Sequence, residues 1–274
     1  MILIAGRPFD AAPIMNDYPR GSVEQQLLSI MSQSSQTYDF DSLSQLKFEL
    51  WMRDETVNSA KALYNSGLGF SVFHKSKCSP VYWDRMPNGG FRLREGADTA
   101  RAIEDIFING SEYATECATA MMIVYYKALL SIFKQNAFNK LFPTLILMNW
   151  HAIDPLLKEV GKPRKVEDFL FGDRGYFKNP DVDPKTPEWQ GENVIVLPDA
   201  LYYGHGIGIS TYEDIINALN SNRKKGASQS AYFLDTASHP DFKKLAGVYE
   251  RFGQTASLVW SAFPPAISTA KAAF

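Results

Sequence analysis

From Glu116 to about Gln135 the chain is apolar nearly all the way round a helix, with Met121, Met122, Ile123, Val124, Tyr125, Tyr126, Leu129 and Leu130 leaving no polar face. Such a helix has to be enclosed on every side, so the rest of the chain must wrap around it. The stretch Ala118 to Phe133 is interrupted by Lys127 and is shorter than the roughly 20 residues that cross a bilayer, so it reads as a core helix and not a membrane span. With 274 residues, 45% of them hydrophobic, there is enough material for one domain with a sizeable core. The expectation is one domain over 1–274, with an irregular N-terminal arm over about 1–40 and a C-terminal extension over about 240–274.

Charge narrows the class of partner. Twenty-eight basic against thirty acidic side chains give a formal net charge of −2, which argues against a general nucleic-acid or membrane-surface binder. The one basic cluster, Arg223-Lys224-Lys225, reads as a solvated face. The opening run Met1 to Ala5 is cut off by Gly6-Arg7-Pro8, too soon for a signal peptide, which implies cytoplasmic synthesis without export through a cleaved signal. Two cysteines, Cys78 and Cys117, fit a reducing compartment or one reactive thiol. There is no CxxC or HExxH spacing and the four histidines are widely scattered, so a metal site could be assembled only in three dimensions; the expectation is no metal and no cofactor.

Local patterns place the remaining elements. A Ser/Gln-rich stretch with Pro13, Pro19 and Gly21 predicts irregular structure over 10–35. Leu43, Leu46, Phe48, Leu50, Ala60 and Leu63 keep helical spacing up to Asn65. Gly69 to Phe73, Cys78 to Trp83 and Phe91 to Arg94 read as a small β-meander turning at Pro87-Asn88-Gly89-Gly90. Thr99 to Asn109 reads as a helix stopped by a left-handed Gly110, and Leu145 to Met148 as a short buried strand. Gly161 to Pro187 reads as a charged loop region. Asn193 to Leu197 and Ala200 to Tyr203 form a hairpin about Pro198-Asp199, and the Ser210-Thr211-Tyr212-Glu213 capping box starts a helix that runs to about Asn222. Beyond Tyr232 the composition, ending in Phe263-Pro264-Pro265 and an Ala/Lys tail, reads as a loosely organised extension.

The chemistry centres on Cys117 in the first turn of the core helix, where free backbone N–H groups and the helix dipole favour a thiolate. Read from the residues alone, Cys117 is either such a nucleophile or a small core hydrophobe. Glu116 is either an ordinary helix-start acid or a group near the site. A thiol nucleophile needs a proton partner, and Glu192, His151 and His205 are the candidates. A two-residue turn at Pro198-Asp199 would pair Leu197 with Ala200 and set Glu192 directly across from His205. Trp150 and Trp189 flank these candidates and could shield a reactive intermediate from water.

Glu116-Cys117-Ala118-Thr119-Ala120 with Tyr125-Tyr126 resembles the small transglutaminases of spore-forming bacteria, the protein-glutamine γ-glutamyltransferases that crosslink spore-coat proteins. Phe48-Glu49-Leu50, Tyr176 to Pro180, Trp189 to Ile195, His205 to Ile209 and Arg223 to Ala227 through Gln229 to Tyr232 look like that family in its order, covering roughly residues 40 to 235. The resemblance implies a papain-like α/β (α+β) fold, with a nucleophile-bearing buried helix packed on an antiparallel sheet. It implies Cys117 as nucleophile, Glu192 as acid/base partner and Glu116 as an auxiliary acid. It also implies a tunnel walled by Phe70, Trp150, Tyr176 and Trp189, with His205 in support, and activity without calcium. Its partners would be glutamine- and lysine-bearing proteins of the spore coat, met by a monomer at the spore surface. Two departures are Asn149, where the family has Asp before its Trp-His pair, and a longer tail beyond about 240.

Two other readings compete. A cysteine hydrolase would use Cys117 with His205 and let water resolve the thioester. An inert coat component would keep the fold and lose the activity, which intact Glu116, Cys117 and Glu192 argue against.

Overall fold

The apolar helix predicted from about 116 spans Cys117–Leu141 and is buried without a break from Ala118 to Tyr126. Its helical path is broken at Lys134, which takes φ 60°. The computed structural model describes residues 1–261, with side chains through Phe252. Helices Leu43–Asn65 and Thr99–Ile108 pack on the central helix, and Ser42 and Asp98 cap their first turns by accepting the N–H of Gln45 and Arg101. The remaining side is covered by a five-stranded antiparallel sheet in the order Gly208–Thr211, Leu201–Gly204, Gly191–Val196, Arg174–Lys178, Tyr232–Phe233.

The middle strand Gly191–Val196 is buried along its whole length because it has a hydrophobic cluster on each face. Ile195, Leu197 and Tyr203 join the core around the cysteine helix, while Val194 and Phe177 pack with Ile215 and Leu219 of helix Tyr212–Asn220. The molecule is thus a mixed α/β structure in which a buried helix packs against one face of an antiparallel sheet.

Several sequence expectations need correction. The stretch read as an irregular arm contains helix Val23–Gln33, which buries Leu27, Leu28 and Met31 and turns its Ser and Gln residues outward. With strands Ile2–Ile4 and Tyr38–Phe40 it builds a second hydrophobic cluster. The 161–187 region read as loop holds strand Arg174–Lys178, paired on both sides, hidden because its exposed end is charged and it contains a glycine. Gly110 does not stop its helix by a left-handed turn. It lies against Ser66, whose carbonyl oxygen would be 2.3 Å from any Cβ there, so contact requires glycine. The cap of the 212–220 helix is Thr211, one residue after the expected Ser210, and its hydroxyl accepts the N–H of Asp214. The extension read as loosely organised carries strand Thr236–Ala237 and helix Phe242–Ser261, while Phe263-Pro264-Pro265 lies outside the described residues.

The hairpin register also differs from the expectation. Its loop is three residues long, with Asp199 and Ala200 both left-handed at φ 61° and 55°, and Leu197 N–H donates to the Leu201 carbonyl at 2.9 Å. Val194 therefore faces Gly204 and Ile195 faces Tyr203, one residue away from the pairing that would have set Glu192 across from His205.

Candidate active site

Glu116 is the N-cap of the core helix. Its extended backbone (φ −87°, ψ 170°) turns the side chain back, so that its carboxylate accepts the N–H of Ala118 at 2.5 Å and of Thr119 at 2.8 Å, and the Thr119 hydroxyl as well. Burial pushes the Glu116 carboxyl up, against these hydrogen bonds, which pull it down. The Thr119 hydroxyl also accepts the Asn149 N–H at 2.8 Å, which ties the turn carrying Trp150 to the helix entry. His151 is exposed on that turn, its N–H held by Asn149 Oδ1 at 2.8 Å.

Cys117 follows the cap, and its Sγ accepts a hydrogen bond from Asn193 Nδ2 at 3.3 Å. Sheet register explains why asparagine is there. Tyr176 pairs with Asn193 and Arg174 with Ile195, so Arg174, Tyr176, Asn193 and Ile195 share the face that meets the helix. Arg174 Nη1 donates to Asn193 Oδ1 at 2.7 Å and Nε to Ser238 Oγ at 2.8 Å, and its guanidinium lies 4.4 Å from the Trp150 ring centroid.

Glu192 takes the alternate position on the strand, opposite Phe177, and is 5% exposed. Its side chain leans across Gly204, where a Cβ would sit 2.8 Å from Glu192 Cγ and 3.0 Å from Oε1. Oε1 is buried and meets no hydrogen-bond donor among the described residues. Burial first, then the negative charge of Glu116, raise this carboxyl well above the usual carboxylate range, and the His205 backbone amide opposes them. Burial and the charges of Glu192 and Glu116 push the Cys117 thiol up to about 12, while Asn193 works against them through its side chain and backbone. Both shifts act in the same direction, toward the neutral thiol and the neutral carboxyl.

The aromatic positions surround this pair unequally. Burial, then Cys117 and Glu192, push the Tyr176 phenol up to about 12, so its ring lies within the field of both. Gly191 makes room for that ring, since a Cβ there would fall 2.2 Å from the Tyr176 hydroxyl. Phe70, 42% exposed, rests against Gly206 with its ring centroid 6.0 Å from that of His205. Trp189 is half-buried in the 3₁₀ turn Pro187–Gln190 that leads into the Glu192 strand.

His205 is committed elsewhere. Its Nε2 pairs with the Gly69 carbonyl at 3.0 Å and its Nδ1 with the Tyr203 hydroxyl at 3.3 Å, and burial pulls the imidazole down to about 4. Both of its ring nitrogens are thus engaged, by Gly69 and Tyr203, and burial favours the neutral imidazole. Cys78 lies away from any helix start, and burial raises its thiol to about 11.

The structure thus gathers Cys117, Glu116, Glu192, Tyr176 and Trp150, places Phe70 and His205 beside the Glu192 strand, and leaves His151 outside. Sequence reasoning missed Asn193 and Arg174. The period-two spacing of Arg174, Tyr176 and Lys178 was the available signal, obscured by reading that stretch as loop.

Comparison with known proteins follows the same outline. A family model described as protein-glutamine gamma-glutamyltransferase matches residues 1–249. Protein-glutamine gamma-glutamyltransferases of Bacillus cereus (strain 03BB102) and Bacillus anthracis (strain A0248) are each 43% identical over 246 residues, covering 89% of this chain and 88% of theirs. A solved transglutaminase from Geobacillus stearothermophilus, without its C-terminal extension, is similar at a TM-score of 0.72 and 46% identity, over 76% of this chain and 98% of that one.

Proposed function

Because the chain belongs to the protein-glutamine gamma-glutamyltransferase family, we propose that it forms γ-glutamyl-ε-lysine crosslinks through a Cys117 thioester, with Glu192 as general acid and base. The observation that carries this reading is a buried carboxyl oxygen, Glu192 Oε1, without a donor among the described residues and in the field of a buried thiol at a helix start. A carboxyl raised above the usual carboxylate range is a stronger base than an exposed glutamate, which suits it to accept a proton and return it.

In the acylation half, the Cys117 proton passes to the Glu192 carboxylate and sulfur attacks the γ-carboxamide carbon of a glutamine. Glu192 returns the proton to the departing nitrogen, ammonia leaves and the thioester remains. In the second half Glu192 takes a proton from the incoming lysine amine as its nitrogen attacks the thioester carbon, the C–S bond breaks, and the proton passes from Glu192 to the departing sulfur. The Glu116 cap uses the N–H groups of Ala118 and Thr119, so the Cys117 N–H lies outside the cap and is the natural oxyanion donor. Glu116 acts as an auxiliary acid through its charge on both Cys117 and Glu192. Phe70, Trp150, Tyr176 and Trp189 wall the approach against water, with His205 bracing the Glu192 strand.

The same reading assigns the enzyme glutamine- and lysine-bearing proteins of the spore coat as substrates, and action as a calcium-independent monomer at the spore surface. Incubation with a glutamine donor and a primary amine, with and without a calcium chelator, tests it: amide product is expected in both. Glutamate alone would favour the cysteine hydrolase, whose base His205 is already engaged by Gly69 and Tyr203. Crosslinks sought by mass spectrometry in spore-coat extracts test the substrate assignment.

A further inference from the structure

Arg174 is 7% exposed, and every group its guanidinium meets is neutral: the Ser238 hydroxyl, the Asn193 amide oxygen and the Trp150 ring. Among the described residues no carboxylate lies within ion-pair distance of it. The contrast with Arg53 is informative. That equally buried arginine holds Glu49 at 2.9 Å and Asp173 at 2.8 Å, a complete structural ion network. Asp173 immediately precedes Arg174 but is taken by Arg53 and by the Leu170 N–H. Burying a cation without an anion is unfavourable, so the fold keeps here a charge that its resting state does not neutralise.

We propose that Arg174 is the standing counter-charge for negative charge on the Cys117 sulfur, delivered through the Asn193 amide, and is thus a positioning residue for the transferase reaction. The proposal rests on the reading of Cys117 as the nucleophile. Arg174 Nη1 donates to Asn193 Oδ1 and Asn193 Nδ2 donates to Sγ, so the two bonds run head to tail from cation to sulfur. The amide cannot be reversed, because Nδ2 would then face the guanidinium, donor against donor. Arg174 therefore fixes which end of Asn193 the sulfur meets, and its charge strengthens that bond as sulfur becomes anionic.

Among the described residues the surrounding charges leave this role to Arg174. On the helix, Glu116 opposes charge on Cys117, and from the central strand Glu192 does the same. Tyr176 from the adjoining strand and Tyr125 from the core helix are phenols held protonated, and His205 is neutral. Asn193 is the group working in favour of the thiolate at direct contact, and Arg174 is the cation behind it. When the Cys117 proton moves to Glu192, the new charge on sulfur faces a cation already in place, with no reorganisation at that moment.

The test is the rate of iodoacetamide alkylation of Cys117 against pH, in the full chain carrying Cys78→Ala, for the parent, Arg174→Gln, Arg174→Lys and Asn193→Ala. Arg174→Gln and Asn193→Ala should slow alkylation about tenfold or more at fixed pH between 7 and 9, an upward shift of about one pH unit or more. Both should lower kcat for amine incorporation by a similar factor and leave KM for the amine unchanged. Arg174→Lys, which keeps the charge and loses the fork, should recover part of the loss. Parent-like alkylation in Asn193→Ala and Arg174→Gln overturns the proposal, and Asn193→Ala decides alone if Arg174→Gln does not fold. Cys117→Ala separates this from the underlying reading: a dead Cys117→Ala with unmoved alkylation in the other variants sinks only the role of Arg174, whereas an active Cys117→Ala sinks both.

Discussion

Replacing Glu192 by glutamine separates what the residue does for catalysis from what its charge does to the fold. The carboxyl is buried, one oxygen lacks a donor among the described residues, and burial with the nearby charge of Glu116 raises its pKa well above 4.5. A carboxyl raised in this way binds its proton more tightly folded than unfolded. Below about pH 4.5 both states are protonated and its contribution to stability is fully present. As pH rises, the unfolded chain ionises first and stability falls by about 1.4 kcal/mol per pH unit until the folded pKa is passed. Glutamine has the shape of the protonated acid and does not titrate. The variant should therefore match the parent in Tm near pH 4.5 and gain on it as pH rises. At about 2–4 °C per kcal/mol for a protein of this size, the gap should widen by about 3–6 °C per pH unit. Over the same range amine incorporation should fall at least about 100-fold, the lower bound for loss of general acid–base catalysis. Calorimetry of both proteins from pH 4.5 to 8 at fixed ionic strength, with activity measured alongside, decides the matter. Tm curves that stay parallel would show that Glu192 is not buried as an unpaired acid, and an active variant would remove it from the mechanism.

Three further outcomes follow from the geometry. Cys117→Ala should abolish amine incorporation with little change in Tm, whereas Cys78→Ala, away from any helix start, should keep most activity; equal loss from both would contradict the assignment. Gly204→Ala places a Cβ 2.8 Å from Glu192 Cγ and should displace the carboxyl, costing about 100-fold in kcat while circular dichroism stays parental. Glu116→Ala removes the helix cap and should lower stability by about 1 kcal/mol in chemical unfolding, with Glu116→Gln recovering part of it; full activity in Glu116→Gln would end its role as an auxiliary acid.

Much of this architecture is legible one segment at a time. The core helix is readable because sixteen consecutive positions without a polar face, Ala118 to Phe133 but for Lys127, permit only burial. The 43–65 helix follows from periodicity and the turn before Phe91 from its Pro-Asn-Gly-Gly residues, but the strand entering that turn is Trp83–Arg85 and not Cys78 to Trp83, and Gly69–Phe70 leaves the expected meander to pair with Ala114–Thr115. The readings that failed were those in which composition masked pattern. Helix Val23–Gln33 is rich in Ser and Gln, yet Leu27, Leu28 and Met31 form its buried stripe. Strand Arg174–Lys178 is charged at both ends, and the burial of its Arg174 end is a fact no local rule contains.

The site divides along the same line. The sequence by itself determined that Cys117 would stand at the first turn of an enclosed helix behind an acidic residue, because helix entry and burial are local properties. It also carried Glu192 through its family pattern, but not the neighbours of that residue. Those depended on the turn at Pro198 to Ala200, where two left-handed residues add one position to the loop and shift every cross-strand partner by one. Only the tertiary structure put Asn193 of one strand against sulfur, Arg174 of the next against Asn193, and Ser238 of a distant segment behind Arg174. These contacts join residues up to 76 positions apart, and what selects them is sheet register and the room left by Gly191 and Gly204, quantities that exist only once the strands are paired.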